Sequence, residues 1–425
     1  MPREDDELMP QVDAAAGATA DAVARRSYGK LVAFLAARLR DVAAAEDALA
    51  DAFASALAAW PASGVPANPE AWLLSVARRK AVDAARRRRS GDEAAAHLLL
   101  IADKLAAATT GTAEIPDDRL ALMFACAHPA IESGIRAPLI LQTILGFDAA
   151  AIASSFLVAP RTMGQRLVRA KSKIREAGIP FRVPGRDELA DRLDAVLEAI
   201  YAAFAEGWSD PAGTEIRRRN LAEEAIFLGR LVVALLPDEA EALGLLGLML
   251  HAEARRAARR DAQGDYVPLA AQDMAAWNAA LIDEAEALLR RAGALGAPGR
   301  YQLEAAVQSA HVARRRTGWT DWPAIELLYD ALVALTASPV VAINRAIAVA
   351  ETRGAAAGLA ALDAIADDAR LAEYEPYWAA RADLLSRNGA ADAADADMAY
   401  ERAIGLEPDE AVRRFLQRRR AKLSE

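Results

Sequence analysis

Hydrophobic residues recur every three to four positions along nearly the whole chain, which is the spacing of one face of an α-helix. The pattern predicts a helix over 21–40, a second over 41–60 and a third that begins at an Asn-Pro pair at 68–69. Asparagine caps helices and proline suits their first turn. Turn-forming residues between 61 and 69 predict a loop. We therefore expect an all-α protein.

Residues 147–175 predict two helices separated by a short turn. Asp148 is a natural N-cap for the first helix, and Pro160 fits the first turn of the second. The apolar face of the second helix carries Met163, Leu167, Ala170 and Ile174. Its other face carries Arg161, Thr162, Gln165, Arg166, Arg169, Lys171 and Lys173. This pattern is typical of a helix-turn-helix, whose second helix reads base edges in the major groove. An ordinary hairpin with a solvated basic face remains the alternative.

A second pattern places an acidic helix before a basic one. The predicted helix over 41–60 carries four carboxylates, at Asp41, Glu46, Asp47 and Asp51. The helix after the loop carries basic residues at Arg78, Arg79, Lys80 and Arg86 to Arg89. Such side chains can contact phosphates. Four consecutive arginines, taken alone, are more typical of a solvated helix end.

The charge distribution separates these two segments from the rest. The chain has 425 residues and a net charge of −9. Residues 20–90 nevertheless contain 12 basic and 7 acidic side chains, and residues 145–180 contain 6 and 2. An acidic chain cannot coat DNA along its whole surface, but two basic islands can each contact a phosphate backbone.

The composition also excludes several classes of protein. One cysteine rules out an internal disulfide framework, and four scattered histidines rule out a zinc finger. We predict no metal and no cofactor. No apolar run reaches the ~18 residues of a membrane span, and the acidic N-terminus lacks a signal-peptide core. We therefore expect a cytoplasmic protein without membrane contact.

Composition breaks divide the chain into five parts: a disordered N-terminus at 1–19, a helical segment at 20–90, a linker at 91–116, a second helical block at 117–180, and a C-terminal half at 186–425. The C-terminal half reads as stacked helical hairpins. The segments SPVVAINRAIAVAETRGAAAGLAALDAI and YWAARADLLSRNGAADAADADMAYERAIGLEPDE have the layout of tetratricopeptide units.

The order of these motifs resembles that of an extracytoplasmic-function sigma factor. DVAAAEDALADAFASALAAW and NPEAWLLSVARRKAVDAARRR resemble the family's region two, and FDAAAIASSFLVAPRTMGQRLVRAKSKIR resembles its region four. Together with FACAHPAI and SPVVAINRAIAVAE, the C-terminal half resembles a subgroup with a tetratricopeptide-like extension. Segments 20–90 and 117–180 would then be regions two and four.

The resemblance implies a non-enzymatic role in transcription initiation. Core RNA polymerase would bind through its beta-prime coiled coil and beta flap, with Glu46, Asp47 and Asp51 as the candidate polymerase contacts. Promoter DNA would be bound at the minus-ten element through Arg78, Arg79, Lys80 and Arg86. Region four would read the minus-thirty-five element through Arg161, Thr162, Gln165 and Arg166, with Arg169 and Lys171 as further DNA contacts. The acidic C-terminal half would contact the sigma core and regulate it.

Two other functions remain open from the residues. A stand-alone helix-turn-helix regulator with a helical sensor domain would bind duplex DNA without polymerase. A helical enzyme could use paired carboxylates at Asp367-Asp368 or at Asp392, Asp395 and Asp397. Their Ala-rich surroundings favour solvated helix ends instead, and no nucleophile triad, P-loop or GxGxxG pattern occurs.

Overall fold

The computed structural model describes residues 5–88, 117–156, 158–208 and 216–424. Within those ranges the chain is helical and contains no strand, which confirms the all-α prediction; one isolated bridge pairs Arg260 with Tyr266. The predicted linker at 91–116 and Leu157 of the predicted turn lie outside the described residues. None of the described helices is long and apolar enough to cross a membrane.

The described chain divides into two compact units. The first comprises Met1–Gly207 with Ile216–Leu228, and the second comprises Trp208–Glu215 with Gly229–Glu425. The helices of the first half are α1 (Asp5–Leu39), α2 (Val42–Ser63), α3 (Pro69–Arg88), α4 (Arg119–Cys126), α5 (Ser133–Leu145), α6 (Ala149–Ser155), α7 (Pro160–Glu176) and α8 (Arg186–Trp208).

Helix α9 (Ile216–Leu235) follows and contributes residues to both units. The remaining helices are α10 (Ala240–Ala254), α11 (Ala279–Ala294), α12 (Arg300–Thr317), α13 (Trp322–Thr336), α14 (Pro339–Arg353), α15 (Ala355–Asp363), α16 (Glu375–Asn388), α17 (Ala393–Leu406) and α18 (Glu410–Ala421). From α10 onward each helix packs against its neighbours in sequence.

Polar side chains cap several of these helices, including the predicted caps at Asn68 and Asp148. The Asp41 carboxylate accepts a hydrogen bond from the Ala44 amide at 3.1 Å at the start of α2. Asn68 accepts from Ala71 at 3.0 Å before α3, and Asp148 accepts from Ala151 at 2.7 Å before α6. Each bond satisfies an amide that has no partner within its own helix.

Two predictions about the first unit are wrong. Residues 5–19 are helical in the structure rather than disordered, because α1 begins at Asp5. The alanines between 14 and 20 favour helix more than the nearby acids and Pro10 oppose it. The loop before α3 is also shorter than predicted, since α2 continues through Pro61 to Ser63 and ends at Gly64, whose φ is 79°.

In the second unit, the last helix α18 contacts the segment between α10 and α11, near the start of the unit. Arg414 and Arg418 of α18 form ion pairs with Asp265 at 2.9 and 2.6 Å. The rings of Tyr266 and Phe415 meet edge to face with centroids 5.4 Å apart. These partners are about 150 residues apart in sequence, so they join the two ends of the helical array.

Candidate nucleic-acid interface

Helix α7 presents most of its predicted base-reading residues to solvent. Its predicted apolar stripe is buried: Met163, Leu167, Ala170 and Ile174. Lys173 of the opposite face is exposed near the end of the helix. The other exposed members of that face are Arg161, Thr162, Gln165 and Arg169. They lie in the first three turns of the helix, which begins at Pro160. Their charge and donor groups suit contacts with base edges and phosphates.

Arg166 is less available than its neighbours on this face. Its guanidinium donates a hydrogen bond to the Glu132 carboxylate at 2.9 Å, and its side chain is only 26% exposed. Glu132 immediately precedes α5 and is itself exposed. A pair of this kind, in which one partner is well exposed, is weakly held.

Lys171 and Glu46 form the most enclosed ion pair between α7 and α2. The two charged groups lie 2.5 Å apart, with side-chain exposures of 12% and 16%. Burial raises the pKa of Glu46, and the nearby Lys171 ammonium partly opposes that shift. At the next turn Arg175 lies 3.4 Å from Asp41. The C-terminal half of the basic helix is therefore held against the acidic helix.

This pairing corrects the expectation that Glu46 lies on an exposed acidic face. The adjacent Asp47 and the more distant Asp51 are exposed. These two residues are four apart and share one face of α2, whereas Glu46 is one position round the helix and faces α7. Lys171, predicted to contact DNA, is likewise occupied by Glu46 in this arrangement.

The basic face of α3 is only partly exposed. Arg79 is exposed, while Arg78 and Lys80 are half-buried. Arg86 lies within the helix, but its side chain is outside the described residues. Before this face, Trp72 meets the buried Trp60 of α2 edge to face, with ring centroids 5.5 Å apart. The Trp pair joins the two helices that flank the short loop, which itself carries no aromatic residue.

A second contact joins the helices on either side of residues 89–116. Gly29 of α1 packs so closely against the backbone of Ile144 in α5 that no Cβ fits between them. Sequence reasoning missed this contact and the Glu132 partner of Arg166. Only the glycine offered a local signal, since glycine within a helix often marks a close approach.

Replacing Lys171 with methionine is expected to lower the free energy of unfolding by about 3 kcal/mol near neutral pH, because the Glu46 charge would stay buried without its partner. The pKa of Glu46 is raised in the folded protein. Protonated Glu46 therefore favours the folded state, and the loss should shrink as the pH falls toward the unfolded-state pKa. Urea unfolding at neutral and acidic pH measures this difference.

The Glu46→Gln/Lys171→Met double variant is the control, and its free energy of unfolding should stay within about 1 kcal/mol of wild type. An equal loss at both pH values would contradict a buried Glu46 charge.

The single cysteine is part of the core. Cys126 is fully buried with its sulfur 3.6 Å from the Thr143 hydroxyl, and burial raises the pKa of its thiol to about 12. A thiol in that state is unreactive. Across the described ranges, no group of three or more His, Cys, Asp or Glu side chains could hold a metal ion.

Comparison with known proteins adds two domain matches. Residues 23–91 match sigma-70 region 2, and residues 192–293 match a family of unknown function, DUF6596. An uncharacterized protein, R00370, from Rhizobium meliloti (strain 1021) is 38% identical over 376 residues, which cover 86% of this chain and 87% of that protein. No solved structure matches.

Proposed function

Since this chain belongs to the sigma-70 family, we propose that it is an extracytoplasmic-function sigma factor that binds core RNA polymerase and directs it to specific promoters. Its sigma-70 region 2 indicates a role in transcription initiation, with core polymerase and promoter DNA as partners. The match to that region, which includes the exposed acids of α2 and the basic face of α3, is the observation that carries the proposal.

In this proposal Asp47 and Asp51 bind the beta-prime coiled coil, joined by Glu46 once its pair with Lys171 has opened. The short loop after Gly64 and the basic residues Arg78, Arg79, Lys80 and Arg86 of α3 contact the minus-ten element. Basic side chains placed beside a loop can hold an extruded base and the adjoining phosphates. The Trp60–Trp72 contact supports this assignment because it joins the helices on both sides of the loop.

Helices α6 and α7 are proposed as the region-four helix-turn-helix. Four exposed side chains on α7, at Arg161, Thr162, Gln165 and Arg169, suit the minus-thirty-five element. In this proposal Arg166 releases Glu132 and binds DNA, and Lys171 releases Glu46 and binds DNA. The Lys171 exchange makes promoter binding depend on separation of α7 from α2. The C-terminal helical hairpins, proposed as tetratricopeptide-like, would regulate this opening.

Run-off transcription with purified core polymerase and a pool of genomic promoters tests the proposal. We expect starts that appear only when the protein is added. Asp51→Ala should weaken polymerase binding by about tenfold and leave promoter discrimination intact, because Asp51 is an exposed charge at the proposed protein contact. Arg161→Ala should leave polymerase binding intact and cost about 1–3 kcal/mol in recognition of the upstream element.

Exposed Arg315→Ala in α12 serves as a matched control, because it removes a charge far along the chain from both proposed contacts. Polymerase binding measured by fluorescence anisotropy and promoter use measured by run-off should both stay at wild-type levels. If Asp51→Ala and Arg161→Ala lost both activities equally, the division of roles would be wrong. Duplex binding to a palindrome without any response to polymerase would favour the stand-alone regulator.

A further inference from the structure

Three arginines gather in the second unit from three separate elements. Arg255 follows α10, Arg259 ends the short 3-10 helix at Arg256–Arg259, and Arg314 lies on α12. Arg255 is only 9% exposed, and the other two are half-buried. Arg255 donates a hydrogen bond to Gln308 of α12, the helix that carries Arg314. Arg314 lies over Trp277, which packs with Ala254 and Ala258 beside Arg255 and Arg259. The charges of Arg259 and Arg314 also lower the pKa of Arg255.

The described partners of all three guanidinium groups are neutral oxygens. Arg255 donates to the His251 carbonyl at 3.3 Å and to the Gln308 side-chain carbonyl. Arg259 donates to the Trp208 carbonyl at 2.9 Å. Arg314 donates to the carbonyls of Leu269 and Ala270 at 2.6 and 3.3 Å. Within residues 216–424, none of the three forms an ion pair with a carboxylate.

Two neighbouring arginines, unlike these three, form ion pairs with carboxylates. Arg256 pairs with Glu253 at 2.8 Å, and Arg260 pairs with Asp409. Burial and the surrounding positive charges lower the pKa of both Arg255 and Arg259 to about 10. The Asp409 carboxylate that pairs with Arg260 also opposes the pKa shift of Arg259, but it forms no ion pair with Arg259. A buried charge is normally paired, so three cations without an ion pair to a described carboxylate leave an excess of positive charge.

Ring contacts and carbonyl contacts hold these side chains in place. The Arg259 guanidinium lies over the Trp208 ring at 4.3 Å, and that of Arg314 lies over Trp277 at 5.1 Å. The carbonyl contacts fix each side chain while occupying only some of its five N–H donors. The Nε of Arg314 is buried and makes no hydrogen bond to the described residues.

We propose that Arg255, Arg259 and Arg314 form a binding site for a small ligand that carries a phosphoryl group. A phosphate dianion supplies the missing negative charge, and its oxygens match the planar guanidinium fork. A duplex is too wide to reach Arg255, which is almost completely buried. Ligand binding at this site of the second unit does not depend on the proposed promoter recognition by the first unit.

Binding of inorganic phosphate and pyrophosphate to the full-length protein tests this site. Thermal unfolding and calorimetry should be run at constant ionic strength, balanced with sodium chloride. Either anion should raise the melting temperature of wild type by several degrees, because a ligand that binds only the folded state stabilises it. Arg255→Gln and Arg314→Gln should abolish that rise and weaken binding by about tenfold or more.

Arg315→Gln is the matched control, since this exposed neighbour on the same helix carries the same charge. It should respond to phosphate as wild type does. Without added anion, Arg314→Gln should melt at or above the wild-type temperature, because one of three repelling cations is gone. The proposal is overturned if phosphate does not raise the melting temperature of wild type. It is also overturned if phosphate raises the melting temperature equally in wild type and in the three variants. Competition for phosphate by short duplex DNA would also overturn the small-ligand assignment.

Discussion

Gly244→Ala is expected to lower the free energy of unfolding of the second unit by about 3 kcal/mol, the upper end of the usual cost of overpacking. A Cβ at Gly244 would lie 2.5 Å from the Gln302 nitrogen and 2.9 Å from the Tyr301 carbonyl carbon. Both atoms are backbone of the first turn of α12, so no flexible side chain can move aside. Helix α10 must therefore shift away from α12.

That shift would also disrupt a charged helix cap. The Glu241 carboxylate of α10 accepts hydrogen bonds from the amides of Tyr301 and Gln302 at 3.0 and 3.1 Å. Both amides lie at the N-terminus of α12, where a carboxylate is favourable. Loss of both contacts adds to the steric cost.

Urea unfolding followed by circular dichroism measures the effect. Gly405→Ala is the control, because Gly405 lies within α17 and a Cβ there meets no atom within 4 Å. That variant should gain about 0.5–1 kcal/mol from better helix propensity. A Gly244→Ala midpoint equal to wild type would show that α10 and α12 have more freedom than their close contact indicates.

Gly29→Ala is expected to separate α1 from α5 and to raise binding of promoter DNA in the absence of polymerase. A Cβ at Gly29 would lie 2.1 Å from the Ile144 carbonyl oxygen, far inside van der Waals contact. Separation here should also loosen the Lys171–Glu46 pair, because α5 packs on α7 and α1 packs on α2. We expect at least tenfold tighter binding, since a backbone clash closer than the one at Gly244 removes more than about 1.4 kcal/mol of closed-state stability.

Fluorescence anisotropy with a promoter fragment identified by run-off transcription measures this change. The control is Gly17→Ala on the same helix, where a Cβ meets nothing within 4 Å. Tighter DNA binding by Gly29→Ala alone supports the proposed opening. A less stable protein with unchanged DNA affinity would make the α1–α5 contact purely structural.

The parts of the fold that were predictable depend on local patterns. The buried stripe of α7 follows from four apolar residues at helical spacing, and the Asp148 and Asn68 caps follow from residue type and position. The hairpin of α14 and α15 was likewise marked by Gly354, whose φ is 92°. Periodicity and capping act over a few residues, so a single sequence carries them.

The remaining features depend on residues that are distant in sequence. Lys171 and Glu46 are 125 positions apart, and nothing near either residue indicates the other. The Arg255, Arg259 and Arg314 site also requires the packing of separate elements. Tryptophan is typical of a core, yet Trp319 is 58% exposed because it lies in the turn before α13. Trp277 by contrast packs among apolar side chains.

The ion pairs of α18 with Asp265 limit how the second unit can vary. An open array of hairpins can gain or lose a repeat at its end and can fray from that end, because each repeat contacts only its neighbours. Here the last helix must reach the first hairpin, so an inserted or deleted hairpin would pull Arg414 and Arg418 away from their partner. Contacts between the two ends of the array therefore disfavour a change in the number of hairpins, and the unit should unfold more cooperatively than an open array.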